Sequence, residues 1–162
     1  MPRLRRRSTR RRAITAVLGA LAITMLVWSI YSRRQPGNWQ HVFATREGMI
    51  GSMTSSLTII RANDLFVALP DRRALGRDVE VRYRNRSIVV PVLDVGPWNI
   101  DDPYWERDAR PASERGRGAH RTPVNPAGID LSDATFSALG LRDNDYVDWR
   151  FVHRGHVAMP WL

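Results

Sequence analysis

The alternation of apolar and polar residues along the chain predicts several short β-strands. Residues 79–84 (VEVRYR) and 146–152 (YVDWRFV) place apolar side chains at every second position, which is typical of strands with one buried face. Residues 87–95 (SIVVPVLDV) are almost continuously apolar, as expected for a strand that is buried on both faces or closes a barrel. Residues 65–70 (LFVALP) predict one more short strand.

One helix is predicted beyond the N-terminal region, over residues 131–140 (LSDATFSALG). Ser132 is placed to cap its N-terminus, and Gly140 is placed to end it. Phe136 and Leu139 lie three positions apart and would face the core together. Several short strands with one short helix are typical of a small β-barrel rather than of a parallel α/β sheet. The predicted fold class is therefore mainly β.

The N-terminal region carries the pattern of a membrane anchor. Residues 13–31 contain no charged side chain, and as a helix they would be about 28 Å long, enough to cross the hydrocarbon core of a bilayer. Seven arginines precede this run within residues 1–12, and two follow it, so the positive-inside rule keeps the arginine-rich tip in the cytoplasm. The sequence thus predicts a single transmembrane signal anchor, a polar tether over residues 32–47 and an extracytoplasmic domain beyond it.

Three alternatives to this anchor remain open at the level of the sequence. A cleaved signal peptide would normally have a shorter apolar run and a small-x-small cleavage site, which the residues after the run do not offer. The arginine pairs also suggest a twin-arginine signal, but the apolar residues that usually follow such a pair are missing. A buried helix of a globular domain is disfavoured by the flanking arginines.

Composition and charge exclude several classes of function. The chain of 162 residues has no cysteine, which removes disulfides, thiolate nucleophiles and cysteine-based metal sites. All 25 basic residues are arginine, so lysine Schiff-base chemistry is excluded as well. The formal charge of +9 resides in the first 34 residues, because the remainder has 16 arginines and 16 acids. A neutral body argues against nucleic-acid binding. We predict no cofactor and no metal site.

A long segment without periodicity separates the predicted strands. Residues 98–127 span thirty positions, far above the usual length of a loop, so the segment is expected to be functional or disordered. Within it, residues 108–122 contain few apolar side chains and are predicted to be disordered. Trp98, Tyr104 and Trp105 cluster at its beginning, where their rings would require either burial or a ligand.

Two aspartates stand out by their context. Asp94 ends an apolar strand and precedes a sharp Val-Gly-Pro exit, where partial burial would raise the pKa of its carboxyl and suit acid–base chemistry. Asp130 lies just before the helix cap, where the helix N-terminus would stabilise its charge. One protonated and one ionised carboxyl in a shared site is the arrangement that glycosidic chemistry uses. Alternatively, Asp94 only begins a turn and Asp130 only caps a helix.

The segments VPVLDVGPW and GIDLSDATFSALGL, with FVALP upstream, resemble the RlpA-like (rare lipoprotein A) double-psi β-barrel family, which is related to expansins. The resemblance covers about residues 48–152 and rests on the order of an Asp-x-Gly-Pro-aromatic motif and an Asp-Leu-Ser motif. It implies a six-stranded double-psi β-barrel with one or two short helices over residues 48–156. The predicted anchor would hold this barrel on the outer side of a bacterial cytoplasmic membrane.

The family includes lytic transglycosylases that cleave the glycan strands of peptidoglycan. The resemblance implies that Asp94 is the catalytic acid–base residue and that Asp130 is the second polar residue of the groove. Trp98, Tyr104 and Trp105 would then present apolar faces to sugar rings. The implied partner is peptidoglycan or another wall polysaccharide, and a protein partner is not identifiable from the sequence. A non-catalytic, expansin-like polysaccharide-binding module and a purely structural domain are the alternatives.

Two departures from the family pattern bear on catalysis. Family enzymes usually have a histidine a few residues before the Leu-Pro pair, and this chain has Phe66 in that register. The segment between the two motifs is also longer than is common. Because it carries His120, Asp101 and Asp102, this loop is expected to supply a substitute for the missing histidine or to alter specificity.

Overall fold

The computed structural model describes residues 38–152. The anchor predicted over residues 13–31, the tip before it and the last part of the predicted domain, 153–156, lie outside these residues. Across the part of the chain that is described, no helix combines the length and the apolar character that a membrane crossing requires.

Six strands form a closed barrel in the described region. In chain order they are β1 (Gln40–Arg46), β2 (Val67–Leu69), β3 (Asp78–Tyr83), β4 (Arg86–Val95), β5 (Ala127–Leu131) and β6 (Asp145–Val152). Around the barrel the order is β1-β5-β2-β4-β3-β6. The pairs β1/β5 and β2/β4 are parallel, and the other four pairs are antiparallel. The mainly β, six-stranded barrel is therefore confirmed.

The helical elements are short. The predicted helix is present as α1 (Asp133–Leu139), with Ser132 accepting a hydrogen bond from the backbone of Thr135 and Gly140 closing the C-terminus at φ 78°. Three 3₁₀ turns accompany it in the region described, at Arg72–Ala74, Tyr104–Glu106 and Ala112–Arg115.

The predicted tether is wrong over Gln40–Arg46, because these residues form β1, which pairs with both β5 and β6. The strand is half-buried: Val42 and Ala44 face the core, whereas His41 is exposed. Its sequence, QHVFATR, mixes polar and small residues and therefore lacks the strong apolar alternation that identified the other strands. Burial of β1 depends on pairing with strands from the far end of the chain.

The long loop is ordered and forms part of the core. Tyr104 is 2% exposed, and its hydroxyl donates to the Gly128 carbonyl at 2.9 Å and accepts from Trp149 Nε1 at 2.9 Å. The Trp105 ring packs edge-on against Trp149 and Phe151. The expectation of disorder over 108–122 is also wrong. The 3₁₀ turn Ala112–Arg115 lies in this stretch and packs on β5, where the Ser113 hydroxyl donates a hydrogen bond to the Ala127 carbonyl.

Candidate functional site

Strand β2 pairs with β4 on one side and with β5 on the other, and this places both predicted aspartates in one row across the barrel wall. Ala68 of β2 pairs with Asp94 of β4 on one side and with Asp130 of β5 on the other. Thr45 of β1 continues the row, because it pairs with Asp130. Two strand spacings separate the aspartates, which puts their Cα atoms about 10 Å apart. The small side chain of Ala68 leaves the space between them open.

A cleft of about 410 Å³ lies over this row and contains both aspartates. Its walls come from the end of β1, the exit from β4 and the long loop. The lining residues are Thr45, Arg46, Glu47, Met49, Ala68, Asp94, Val95, Gly96, Pro97, Trp98, Arg121, Asn125, Asp130 and Asn144. The structure thus brings Asp94, Asp130 and Trp98 together, as the sequence predicted, and adds a third carboxyl group, Glu47.

Asp94 is held as an anion by its hydrogen bonds. Its Oδ1 accepts from the backbone N–H and the hydroxyl of Ser55, at 2.8 and 2.6 Å, and from the backbone N–H of Val95 at 2.8 Å. Burial alone would raise the pKa of this carboxyl, but hydrogen bonds from Ser55, Glu47 and Val95 hold the pKa below its ordinary value. The raised pKa expected for Asp94 from its sequence context is therefore wrong.

The pKa of Asp130 is raised, although its place before the helix had predicted a stabilised charge and therefore a lowered pKa. Burial raises the pKa of its carboxyl to about 6, a hydrogen bond from Thr45 opposes the shift, and the nearby charge of Asp94 adds to it. The Thr45 hydroxyl donates to Asp130 Oδ1. The helix N-terminus does not lower this pKa, because the α1 cap is made by Ser132 and the Asp130 carboxyl lies in the cleft instead.

Glu47 is the residue that sequence reasoning missed. Its backbone N–H donates to the Leu131 carbonyl at 2.9 Å, which fixes the residue at the end of β1. Burial, a side-chain hydrogen bond with Asp94 and the charges of neighbouring carboxylates together raise its pKa to about 9. Glu47 was assigned to a tether, and one glutamate at the end of a polar segment carries no signal of its own in the sequence.

Trp98 forms one end of the cleft. Its indole Nε1 donates to Asn125 Oδ1 at 3.0 Å, and the guanidinium of Arg121 lies 5.0 Å from the ring centre. Trp98 has φ 63°, a left-handed conformation that is unfavourable for a bulky side chain and concentrates at functional sites. A second hollow of about 240 Å³ shares Trp98 and Arg121 with the cleft and extends to His120.

Tyr104 and Trp105 do not belong to the cleft. Tyr104 is enclosed in the barrel core, so the prediction that it contacts sugar is wrong. Trp105 packs against Trp149, and its Nε1 is buried without a hydrogen-bond partner among the described residues. Both rings join the loop to the barrel, because the apolar surface that they cover belongs to β6.

None of the expected substitutes for the missing histidine lines the cleft. Asp102 accepts the Ala112 N–H at 2.7 Å and has a structural role in the loop, whereas Asp101 pairs with Asp71 in an isolated bridge. His120 lies in the second hollow. The Phe66 side chain is 1% exposed, so a histidine at that position would be buried rather than presented to the cleft.

The described residues contain no group of three or more His, Cys, Asp or Glu side chains arranged to hold a metal ion. The chemistry that the cleft offers is instead that of three carboxyl groups in different protonation states. At neutral pH Glu47 is protonated and Asp94 is ionised, with Asp130 titrating slightly below neutrality.

Several solved structures are similar to this chain. A Streptomyces papain inhibitor is 23% identical, with 72% of this chain and 96% of that chain covered and a TM-score of 0.48. A mutant Clavibacter michiganensis expansin in complex with cellohexaose is 16% identical, covering 73% and 52%, with a TM-score of 0.47. The apo form of the Clavibacter michiganensis expansin is 17% identical over the same shares, with a TM-score of 0.44. The chain spans about half the length of both expansin chains.

Sequence comparison assigns the family directly. No curated protein matches the chain. A family described as "Domain of unknown function (DUF8814)" matches residues 31–118, which include β1 to β4, Glu47, Asp94 and Trp98. Because this match covers more than half of the 162 residues, the chain belongs to the DUF8814 family.

Proposed function

We propose that this barrel is an extracytoplasmic polysaccharide-binding module and that the carboxyl-lined cleft is its binding site. The observation that carries the proposal is Trp98, which is held in an unfavourable backbone conformation at the end of an open cleft containing Glu47, Asp94 and Asp130. An indole ring offers an apolar face to a sugar ring, and carboxyl groups hydrogen-bond to sugar hydroxyls. A cleft with one fixed aromatic side chain and several polar groups suits a ligand with both characters.

Bacterial cell-wall glycan is the ligand class that we propose. The double-psi barrel family that the sequence resembles acts on such glycans, and the two parallel pairs, β1/β5 and β2/β4, support this assignment of the barrel. The proposed anchor over residues 13–31 would hold the barrel outside the cytoplasmic membrane, where peptidoglycan is the abundant polysaccharide.

Cleavage of the bound glycan, as in a lytic transglycosylase, is the second candidate function. The contact between Glu47 and Asp94 favours it, because a protonated carboxyl beside an ionised one is suited to acid–base chemistry. Asp94 alone does not fit the role of the proton donor, since its hydrogen bonds stabilise the ionised form.

Replacing Trp98 by alanine is expected to weaken polysaccharide binding about tenfold, because the loss of one sugar-stacking ring corresponds to about 1.4 kcal/mol. The measurement is co-sedimentation of the full chain, purified in detergent, with insoluble peptidoglycan sacculi and with cellulose. Trp39→Ala is the matched control, because Trp39 stacks with Arg82 and Arg150 and is absent from the cleft.

The control variant should bind as the wild type does. Equal weakening by Trp98→Ala and Trp39→Ala would show that binding does not use the cleft. If the wild-type chain sediments with neither material, the polysaccharide-binding proposal is wrong.

A further inference from the structure

The contact between Glu47 and Asp94 requires a proton between two carboxyl groups. Two ionised carboxylates repel each other at hydrogen-bond distance, whereas a carboxylic acid donates to a carboxylate in a strong, charge-assisted bond. The two side chains are hydrogen-bonded to each other and line the same cleft. The pair therefore carries one proton at neutral pH, and the surroundings decide which residue holds it.

The hydrogen-bond donors around the pair favour the proton on Glu47. Asp94 Oδ1 already accepts three hydrogen bonds, two from Ser55 and one from Val95, which stabilise the anion. Glu47 Oε2 is buried and has no hydrogen-bond partner within residues 38–152, so an anion there would be unsatisfied. Glu47 is thus the acid of the pair, and Asp94 is the ionised carboxylate that accepts its hydrogen bond.

The charged groups near Glu47 also favour the proton on Glu47 rather than a second negative charge there. Asp130 and Asp133 add negative potential to that of Asp94, which disfavours a second negative charge on Glu47. The guanidinium of Arg46 is engaged by Asp133 at 2.5 Å, and it lies over the Phe136 ring. The other cation in the cleft wall, Arg121, lies against Trp98.

We propose that Glu47 and Asp94 form a proton-sharing acid–base pair that donates its one proton to the glycosidic oxygen of a glycan in the cleft and so cleaves the chain there. This inference rests on the proposed polysaccharide binding, and it deepens the second candidate function by assigning the proton donor to Glu47. The pair supplies the proton and can take one back at the end of the reaction. The histidine that the family enzymes have, and that Phe66 replaces here, is therefore not required for proton transfer.

The proposed step balances without a cofactor. The proton leaves the pair for the glycosidic oxygen, the bond between that oxygen and the anomeric carbon breaks, and the leaving sugar departs as an alcohol with the bonding electrons. A hydroxyl group, from water or from the same glycan, forms the new bond to the anomeric carbon. Its proton returns to the pair, which by then holds two negative charges beside Asp130 and therefore binds a proton strongly.

The variant Glu47→Gln separates catalysis from a structural role. Glutamine preserves the size of the side chain and still donates a hydrogen bond to Asp94, but it has no transferable proton. We expect the full-length variant to release soluble fragments from sacculi at least 100-fold more slowly than the wild type. Its co-sedimentation with sacculi should weaken by only a few-fold, because the glutamine amide still hydrogen-bonds to sugar hydroxyls. Glu80→Gln is the matched control, because Glu80 pairs with Arg150 on another part of the barrel.

The pH profile gives a second readout. Release by the wild type should decrease as the pH rises toward about 9, where Glu47 loses its proton. Binding of sacculi without release of fragments, or release by Glu47→Gln at the wild-type rate, would overturn the inference and leave the binding function intact. Absence of wild-type binding to sacculi and cellulose would overturn the proposed function itself, and the inference with it.

Discussion

Replacing Tyr104 by phenylalanine is expected to lower the free energy of unfolding by about 2–6 kcal/mol. The Tyr104 hydroxyl is buried between the Gly128 carbonyl and Trp149 Nε1, at 2.9 Å from each. Phenylalanine fills the same space but leaves a buried carbonyl and a buried indole N–H without partners, and each unsatisfied group costs about 1–3 kcal/mol. Urea unfolding of the full chain, followed by tryptophan fluorescence, measures the difference.

Tyr83→Phe is the matched control for this substitution. The Tyr83 hydroxyl also donates a hydrogen bond, to Asp145 Oδ2 at 2.8 Å, but it does so near the surface, where water can replace the lost donor. We expect a loss below about 1 kcal/mol for Tyr83→Phe. Equal losses in the two variants would contradict the conclusion that Tyr104 joins the long loop to the barrel through buried hydrogen bonds.

The elements with local signals were predictable from the sequence. Strands β3, β4 and β6 show the expected apolar patterns, and α1 has both its serine cap and its terminal glycine. The turn between β3 and β4 falls on Arg84 and Asn85, one position before the gap that the predicted strands over 79–84 and 87–95 leave between them. Each of these features depends on residues that are close in the sequence, which is why pattern reasoning identifies them.

The elements that depend on distant partners were not predictable. Strand β1 is stabilised by β5 and β6, and the order of the long loop requires Trp149 to receive Tyr104. An aromatic cluster in a polar segment is compatible with a binding loop as well as with a loop packed on a core. Only the fold distinguishes the two, and here it separates Trp98 from Tyr104 and Trp105.

In the candidate site, the positions of the two aspartates were predictable from the sequence, but their protonation states were not. The motif order correctly indicated that Asp94 and Asp130 would share a surface, because both lie at strand ends beside Ala68. The relative protonation of the two aspartates was predicted in the wrong direction. Three hydrogen-bond donors stabilise the ionised form of Asp94, whereas burial raises the pKa of Asp130. Two of these donors come from Ser55, which is far from Asp94 in the sequence.

Replacing Glu47 by glutamine is expected to raise the free energy of unfolding by about 1–3 kcal/mol at pH 8. The pKa of Glu47 is about 9 in the folded protein, against an ordinary value of 4.5. Between these values the folded state retains a proton that the unfolded chain releases, so stability decreases as the pH rises through this range. Glutamine has no proton to lose, so the variant should lack this decrease in stability. It should keep only the smaller decrease that Asp130 causes as the pH rises to about 6, because the pKa of Asp130 is also raised in the folded protein.

Urea unfolding of the wild type and of Glu47→Gln at pH 4, 6 and 8 tests whether their free energies of unfolding diverge as the pH rises. Glu80→Gln is the control, and its effect on stability should have the opposite sign. Burial would raise the pKa of Glu80, but Arg150 and Ser87 hold it below its ordinary value, so removing this carboxylate should decrease stability at neutral pH. A Glu47→Gln variant that is less stable than the wild type at pH 8 would contradict the assignment of the proton to Glu47. A gain in stability together with a loss of glycan cleavage would instead identify Glu47 as a residue retained for chemistry at the expense of the fold.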